Sequence, residues 1–200
     1  MFTGIIENVG ELVNIVSEGE NKHLEISSSL ASELKVDQSV SHNGVCLTVT
    51  EVLGTTTYRV TAIQETLKRS NLGKLSNGTK INLERCMSAN GRFDGHIVQG
   101  HVDLTATCTE IEDQAGSWLF RFSYEPTSPD QLLVEKGSVT INGVSLTCFD
   151  ITDSSFAVAI IPYTYQYTNF NQLEIGGTVN LEFDIIGKYI SRIVGNQTTT

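Results

Sequence analysis

Apolar and polar positions alternate along much of this chain, the pattern of strands with one buried face. Residues 57–63 show it plainly, with Tyr58, Val60 and Ala62 on one side. Similar runs occupy 2–15, with a break expected at Gly10, and then 20–27, 39–52 and 79–85. Ser27-Ser28-Ser29 precedes 30–34, where Leu30 and Leu34 form an i, i+4 pair, so a short serine-capped helix is predicted there. Residues 65–72 read as a helical turn ending at Gly73. Short strands separated by Gly, Asn and Ser turns, with few helices, predict an all-β sandwich or barrel. Closure into a barrel removes the exposed edges that such strands otherwise leave.

The run 39–52, SVSHNGVCLTVTEV, organises the rest. Its Asn43-Gly44 pair is the strongest short hairpin signal. The strand after it puts Cys46, Thr48 and Thr50 on one face and Leu47 and Val49 on the other. The stretch recurs at 138–151 as SVTINGVSLTCFDI, with Asn142-Gly143, and Ser145 and Thr147 in place of Cys46 and Thr48. Other blocks recur in the same order. Gly4-Ile5-Ile6-Glu7 matches Gly100-His101-Val102-Asp103, 65–72 matches 163–170, and Asn82-Leu83-Glu84 matches Asn180-Leu181-Glu182. A repeat this long is a whole domain rather than a solenoid unit of roughly 20–50 residues. We therefore divide the chain into 1–93, 94–184 and a tail, 185–200. In the second unit 126–135 takes the place of the first short helix. In the tail, Ile186, Tyr189, Ile190 and Ile193 share one helical face, so a helix that packs on something, such as another subunit, is predicted, with 197–200 disordered.

With 40% hydrophobic and 18% charged residues, the composition of the 200-residue chain is that of a folded globular protein. A net charge of −10 argues against nucleic acid, and against an anionic membrane surface. No run is long and apolar enough to span a bilayer. The first residues carry no basic region or cleavage pattern, so no signal peptide is expected and a cytoplasmic location is. Cys46, Cys86, Cys108 and Cys148 form no C-x-x-C pair, so free thiols are expected, with neither a zinc site nor a redox motif.

Taken together, these blocks resemble the riboflavin synthase family over essentially the whole chain. The resemblance rests on Met1-Phe2-Thr3-Gly4-Ile5, Asn43 to Thr50, Glu65-Thr66-Leu67 with Asn71-Leu72-Gly73, Gly95-His96 through Gly100-His101-Val102, Asn142 to Thr147, and Ile161-Pro162 with Thr164. It implies two tandem, similar six-stranded Greek-key β-barrels and a homotrimer held by a short C-terminal helix. It also implies a reaction in which two molecules of 6,7-dimethyl-8-ribityllumazine dismutate. One gives a four-carbon unit to the other, yielding riboflavin and 5-amino-6-(ribitylamino)uracil, with no added cofactor or metal. Each barrel of the family binds one lumazine, at a site between the first half of one subunit and the second half of a neighbour. Association with lumazine synthase is a further partner that the family suggests.

A ribityllumazine needs backbone groups for its amide-like edge, apolar contact for its ring faces and polar partners for its ribityl chain. In the first half, Gly4, Ile5, Ile6, Cys46, Leu47, Thr48, Thr61, Ala62, Ile63, Gln64, Glu65 and Thr66 are the candidates. Their second-half counterparts are Gly100, His101, Val102, Ser145, Leu146, Thr147, Ile161, Pro162, Tyr163, Thr164, Tyr165 and Gln166. Ser39, Lys136 and Asp184 add polar contacts. The chemistry requires removal of a proton from an acidified ring methyl, and a nucleophile or activated water for the second molecule. Identical substrates must be treated differently, so roles should follow positions where the repeats differ: Cys46 against Ser145, Ile5 against His101, Asp37 against Lys136, Glu65 against Tyr163. Taken singly, Cys46 reads as a buried core cysteine and His101 as a hydrogen-bonded histidine. The resemblance turns Cys46, His101, Ser145 and Thr147, with Ser39 and Thr48 beside them, toward catalysis. The internal repeat places His101, Ser145 and Thr147 in the second barrel and Cys46 and Thr48 in the first. His96 and His101, five apart on an expected strand, would face opposite ways, so no metal pair is expected. His23 and His42 keep structural readings. The competing readings are a non-catalytic lumazine-binding antenna protein, whose polar set would be incomplete, and a generic flavin-binding barrel.

Overall fold

The Asn-Gly pairs close tight hairpins, with Asn43 and Gly44 at φ 48° and 81° and Asn142 and Gly143 at 46° and 81°. Positive φ at both central residues is what a two-residue turn between twisted strands demands. Each turn joins a four-residue strand to a longer one: β3 (Ser39–His42) to β4 (Val45–Val52), and β9 (Ser138–Ile141) to β10 (Val144–Phe149). The computed structural model describes residues 1–197. The first barrel adds β1 (Asn8–Glu18), β2 (Asn21–Ser27), β5 (Thr57–Ala62) and β6 (Lys80–Arg85), closed in the order β1-β2-β5-β4-β3-β6. The second adds β7 (Leu104–Asp113), β8 (Trp118–Ser123), β11 (Ser155–Ile160) and β12 (Thr178–Phe183), and follows the same circuit. Helices α1 (Gln64–Arg69) and α2 (Pro162–Tyr167) lie in corresponding positions, and α3 (Ile185–Gln197) follows the second barrel.

Alternation fills each barrel, but with different material. Leu12, Leu24, Ile26, Val49, Val60, Ile81 and Leu83 make a largely aliphatic first core, while Phe120, Phe122, Phe156, Phe170 and Phe183 dominate the second. Buried His42 bonds through Nε2 to the Tyr58 hydroxyl at 2.8 Å and through Nδ1 to the Val40 carbonyl at 3.0 Å. It is a core residue, and burial lowers its pKa to about 4.

Three expectations change. Gly10 does not break β1; a Cβ there would stand 2.7 Å from Leu83 Cδ1 and 2.9 Å from Ile26 Cγ2, so the glycine permits close packing within a continuous strand. Residues 126–135 form no helix. Instead Gln131 Oε1 accepts from the Thr127 and Ser128 N–H groups at 2.6 and 3.2 Å, closing a turn between residues that Pro126 and Pro129 keep out of helical bonding. The helical turn at 65–72 divides at extended Ser70, whose Oγ caps a 3-10 turn at Asn71–Lys74. Short 3-10 Ser29–Glu33, capped by Ser28, and the helix after Asp184 form as expected. Of the tail residues read as disordered, Gln197 ends α3 and 198–200 lie outside the described residues.

The barrels meet about an approximate two-fold axis. A Cβ at Gly44 would lie 2.8 Å from Gly143 N, and one at Gly143 equally close to Gly44 N, so the two turns touch backbone to backbone. Around them asparagines bond reciprocally. Asn82 Nδ2 donates to the Asn142 carbonyl at 2.9 Å, and Asn180 Nδ2 to the Asn43 carbonyl at 2.8 Å. Asn169 N–H donates to Asn82 Oδ1 at 2.7 Å, and Asn71 N–H to Asn180 Oδ1 at 2.6 Å. The symmetry is incomplete: Asn169 Oδ1 accepts from Asn82 Nδ2 at 2.9 Å, whereas buried Asn71 Oδ1 has no partner among the described residues.

Replacing Asn180 by alanine removes the acceptor for Asn71 N–H and the donor to the Asn43 carbonyl, both buried. Each unpaired buried group costs about 1–3 kcal/mol. Urea unfolding should therefore show a loss of about 3 kcal/mol; a loss indistinguishable from that of a surface substitution would contradict this account of the junction.

Candidate active site

Each barrel is preceded by a leading segment, and the two segments change places. Phe2 and Val98 pair antiparallel, with Phe2 N–H to the Val98 carbonyl at 2.7 Å and the reverse bond at 3.1 Å. Beyond that bridge the Gly100 carbonyl accepts from Cys46 N–H of the first barrel at 2.9 Å, while the Gly4 carbonyl accepts from Ser145 N–H of the second at 2.8 Å. Val102 packs on the first core and Ile6 on the second. Gly4 and Gly100 both hold φ 79°, and a Cβ at either would come within 2.6 Å of the Ser145 or Cys46 Cβ. Glycine is required there by backbone conformation and by close approach together.

This exchange corrects the expected partition of residues. His101 belongs to the first rim, although it comes from the second half of the sequence. With Val45, Cys46, Glu65, Thr66, Arg69, Ser70, Gly100 and Val102 it lines a pocket of about 160 Å3. No hydrogen bond joins His101 to the half-buried Cys46 thiol among the described residues. Thr48 is exposed beside its register partner Ser39, but Ser39 opens instead onto a separate cleft of about 570 Å3 shared with Thr3, Ile5, Glu84 and Arg85. Ala62 is wholly buried and Leu47 nearly so, so neither offers a side chain to a ligand. Thr61 bonds to His23 Nδ1 at 2.9 Å, and His23 in turn pairs with Glu18. Ile63 is exposed, and Gln64 begins α1.

At the second rim the structure brings forward a residue that sequence reasoning missed. His96 is 8% exposed, and its Nδ1 lies 2.7 Å from Ser145 Oγ while its Nε2 lies 3.0 Å from Thr140 Oγ1. Neither His96 nor His101 lies in a strand, so the opposite-face argument does not apply. The backbone N–H of His96 donates to the Thr3 carbonyl at 3.1 Å, which fixes the main chain from which the ring reaches Ser145. Burial lowers the imidazole pKa, opposed by the nearby Asp184 carboxylate. A neutral imidazole donates from one nitrogen and accepts at the other. With Nε2–H directed at Thr140, the Nδ1 lone pair faces the Ser145 hydroxyl, which is the tautomer a base requires.

The remaining second-rim candidates surround this pair or stand outside it. Gly4 and Ile6 come from the exchanged leading segment, while Ile5 is exposed and opens onto the Ser39 cleft. Leu146 is partly buried on the core and Thr147 is exposed beside Ser138. Ile161, Pro162 and Tyr163 stand exposed at the start of α2, Thr164 is half-buried, Tyr165 stacks on Trp118 at 3.9 Å, and Gln166 is exposed. Lys136, like Asp37, occupies a left-handed turn position; its side chain is exposed and joins no ion pair among the described residues. The contrast between them is one of turn residues. Cys108 and Cys148 are core thiols whose pKa burial raises, that of Cys108 to about 11. Among the described residues, no group of three His, Cys, Asp or Glu side chains is placed to hold a metal ion.

A family model described as lumazine binding domain matches residues 3–86 and again 99–184. The riboflavin synthase of Actinobacillus pleuropneumoniae is 44% identical over 197 residues, covering 97% of this chain and 90% of that protein. That of Bacillus subtilis is 42% identical over 195 residues, with the same coverage of 97% and 90%. Among solved structures, LumP complexed with 6,7-dimethyl-8-(1'-D-ribityl) lumazine superposes with a TM-score of 0.82 at 22% identity, covering 92% of this chain and 99% of that one. At that identity the likeness concerns the fold.

Asp184 supplies the influence that raises the His96 pKa against burial. Asp184→Asn should therefore move the His96 titration midpoint, read from its Cε1 proton by NMR, to lower pH than in the unaltered protein. An unchanged or higher midpoint would show that Asp184 does not act on this ring.

Proposed function

The chain belongs to the riboflavin synthase family of lumazine-binding proteins, and from that membership we propose that it converts two molecules of 6,7-dimethyl-8-ribityllumazine to riboflavin and 5-amino-6-(ribitylamino)uracil by transfer of a four-carbon unit. One observation supports this reading above the others. The two rims share a backbone frame and differ in their polar equipment: a buried imidazole bonded to Ser145 in one, a thiol beside a leading-segment histidine in the other. A reaction between identical molecules needs that kind of inequality. At the second rim, neutral His96 takes a proton at Ser145 Oγ, activating the hydroxyl or a water bound to it for addition to one lumazine. At the first rim, Cys46 and the Gly100–Val102 segment, of which His101 is exposed, hold the other lumazine, with Glu65 and Thr66 at its edge.

We further propose a cytoplasmic homotrimer in which a neighbouring subunit closes each site. Ile186, Tyr189, Ile190 and Ile193 of α3 are 54–66% exposed, an apolar face that a partner would cover. The first rim encloses about 160 Å3, below the roughly 300 Å3 at which ligand pockets begin. The second rim presents Ile161 and Tyr163 at 59% and 71% exposure. Two such open rims facing each other across a subunit contact would bring two ring systems together. Ile190→Glu should convert the trimer to monomers in sedimentation and lower turnover together with assembly. A variant that stays monomeric and fully active would remove the shared site.

The reaction is tested by mixing purified protein with ribityllumazine alone. Riboflavin absorbance should grow over many turnovers, and His96→Gln should reduce kcat by about 10²–10⁴-fold with a smaller change in ligand affinity. The acid limb of kcat should lie below the ordinary histidine range, because burial keeps the base neutral as pH falls. Bound lumazine that persists unchanged would instead assign a binding role.

A further inference from the structure

Two buried carboxylates stand outside the chemistry described above. Glu182 on β12 is 2% exposed, and Glu84 on β6 is 3% exposed. Glu182 Oε1 accepts from Gln99 N–H at 2.7 Å, and its Oε2 from Gly100 and His101 N–H at 3.0 and 2.9 Å. Glu84 Oε1 accepts from Thr3 N–H and Oγ1 at 2.7 and 2.8 Å, and its Oε2 from Gly4 N–H at 3.0 Å. Burial raises both pKa values, and the backbone donors oppose that shift by favouring the ionised forms. Each carboxylate therefore grips a leading segment at the residue that touches the opposite barrel. Gly100 bonds Cys46, and Gly4 bonds Ser145.

We propose that Glu182, in the second barrel, is a positioning residue for the first rim, and that Glu84, in the first barrel, is the positioning residue for the second. The backbone supplies the link. A carboxylate accepting up to three donors from consecutive residues fixes the direction of the following glycine carbonyl, and that carbonyl orients the strand carrying Cys46 or Ser145. The His101 N–H is held by the same Glu182 oxygen that holds the Gly100 N–H, so the backbone from which its ring emerges is fixed beside Cys46. His96 depends on the other clamp, since its N–H bonds the Thr3 carbonyl, one residue before Gly4. Each barrel thus sets the geometry of the other's site without touching its ligand.

The inference rests on the reading of the two rims as lumazine sites, and a reciprocal pair of variants separates the two ideas. Glu182→Gln and Glu84→Gln keep side-chain size but place an NH2 where a backbone N–H already points. For Glu182→Gln, amide hydrogen exchange at Cys46, Gly100 and His101 should quicken about tenfold, with Ser145 and Gly4 unchanged, and Glu84→Gln should show the reverse. Ribityllumazine carrying a single 13C label, at the 6-methyl group, should give one bound NMR signal per barrel, the first-barrel signal being the one that Cys46→Ala shifts. Affinity at that signal should fall about tenfold in Glu182→Gln and hold in Glu84→Gln. General damage to the fold would disturb both rims alike in both variants; that result, or loss on the rim of the residue's own barrel, overturns the proposal. If the glutamine variants do not fold, Glu182→Asp and Glu84→Asp, which retract the carboxylate by one methylene, carry the same contrast. Unaltered protein that takes up no ribityllumazine would defeat the functional reading, and the exchange pattern alone would then decide the clamp.

Discussion

The reciprocal asparagine contact at the barrel junction is the constraint on which the rest of the molecule depends. Asn43 and Asn142 close the hairpin turns, and their carbonyls are occupied by Asn180 and Asn82 of the opposite barrel. Buried amides must find partners, and those of Asn82 and Asn180 find them across the axis. That fixes one barrel against the other and leaves Gly44 and Gly143 in backbone contact. In that arrangement the leading segments cross, with the Gly4 carbonyl at Ser145 and the Gly100 carbonyl at Cys46.

Crossing has a chemical consequence. A duplicated domain left to itself would offer two equal sites. Here the shared frame of glycine, carbonyl and clamp carboxylate is kept, while the side chains beside it diverge. His96 lies at Ser145, where burial lowers its pKa, and His101 emerges exposed beside Cys46. The segment bearing His101 is tied further to α3, because Lys188 Nζ contacts both Asp103 oxygens at 2.6 and 2.7 Å. The corresponding Glu7 pairs with Arg85 of β6 instead. Thus an ion pair ties the leading segment of the first rim to the helix that carries the exposed apolar face.

Local and repeated features were legible in the sequence. Alternation at Tyr58, Val60 and Ala62, the Asn-Gly turns and the duplicated order sufficed for two all-β domains, because strand faces and turn types are short-range properties; the choice of barrel over sandwich came from the family resemblance. The site was legible in part. Cys46 and Ser145 stand at equivalent rim positions as the internal alignment required. His101 was assigned to the wrong barrel, since nothing in a linear repeat reveals that leading segments change places. His96 was weighed only as a metal ligand, because its importance comes from burial against Thr140 and Ser145, which are distant in sequence. Glu84 and Glu182 did carry a signal, the repeated Asn-Leu-Glu. An acidic residue recurring in an apolar strand marks a buried acceptor, and its donors could be found only in the folded chain.

The central claim is that each leading segment lies on the other half's barrel within one chain. Nuclear Overhauser contacts in uniformly labelled protein test it most directly. The account predicts contacts from the Cys46 amide proton to the α-protons of Gly100, and from the Ser145 amide proton to those of Gly4. Contacts from Cys46 to Gly4 and from Ser145 to Gly100 would place each segment on its own barrel and contradict the account.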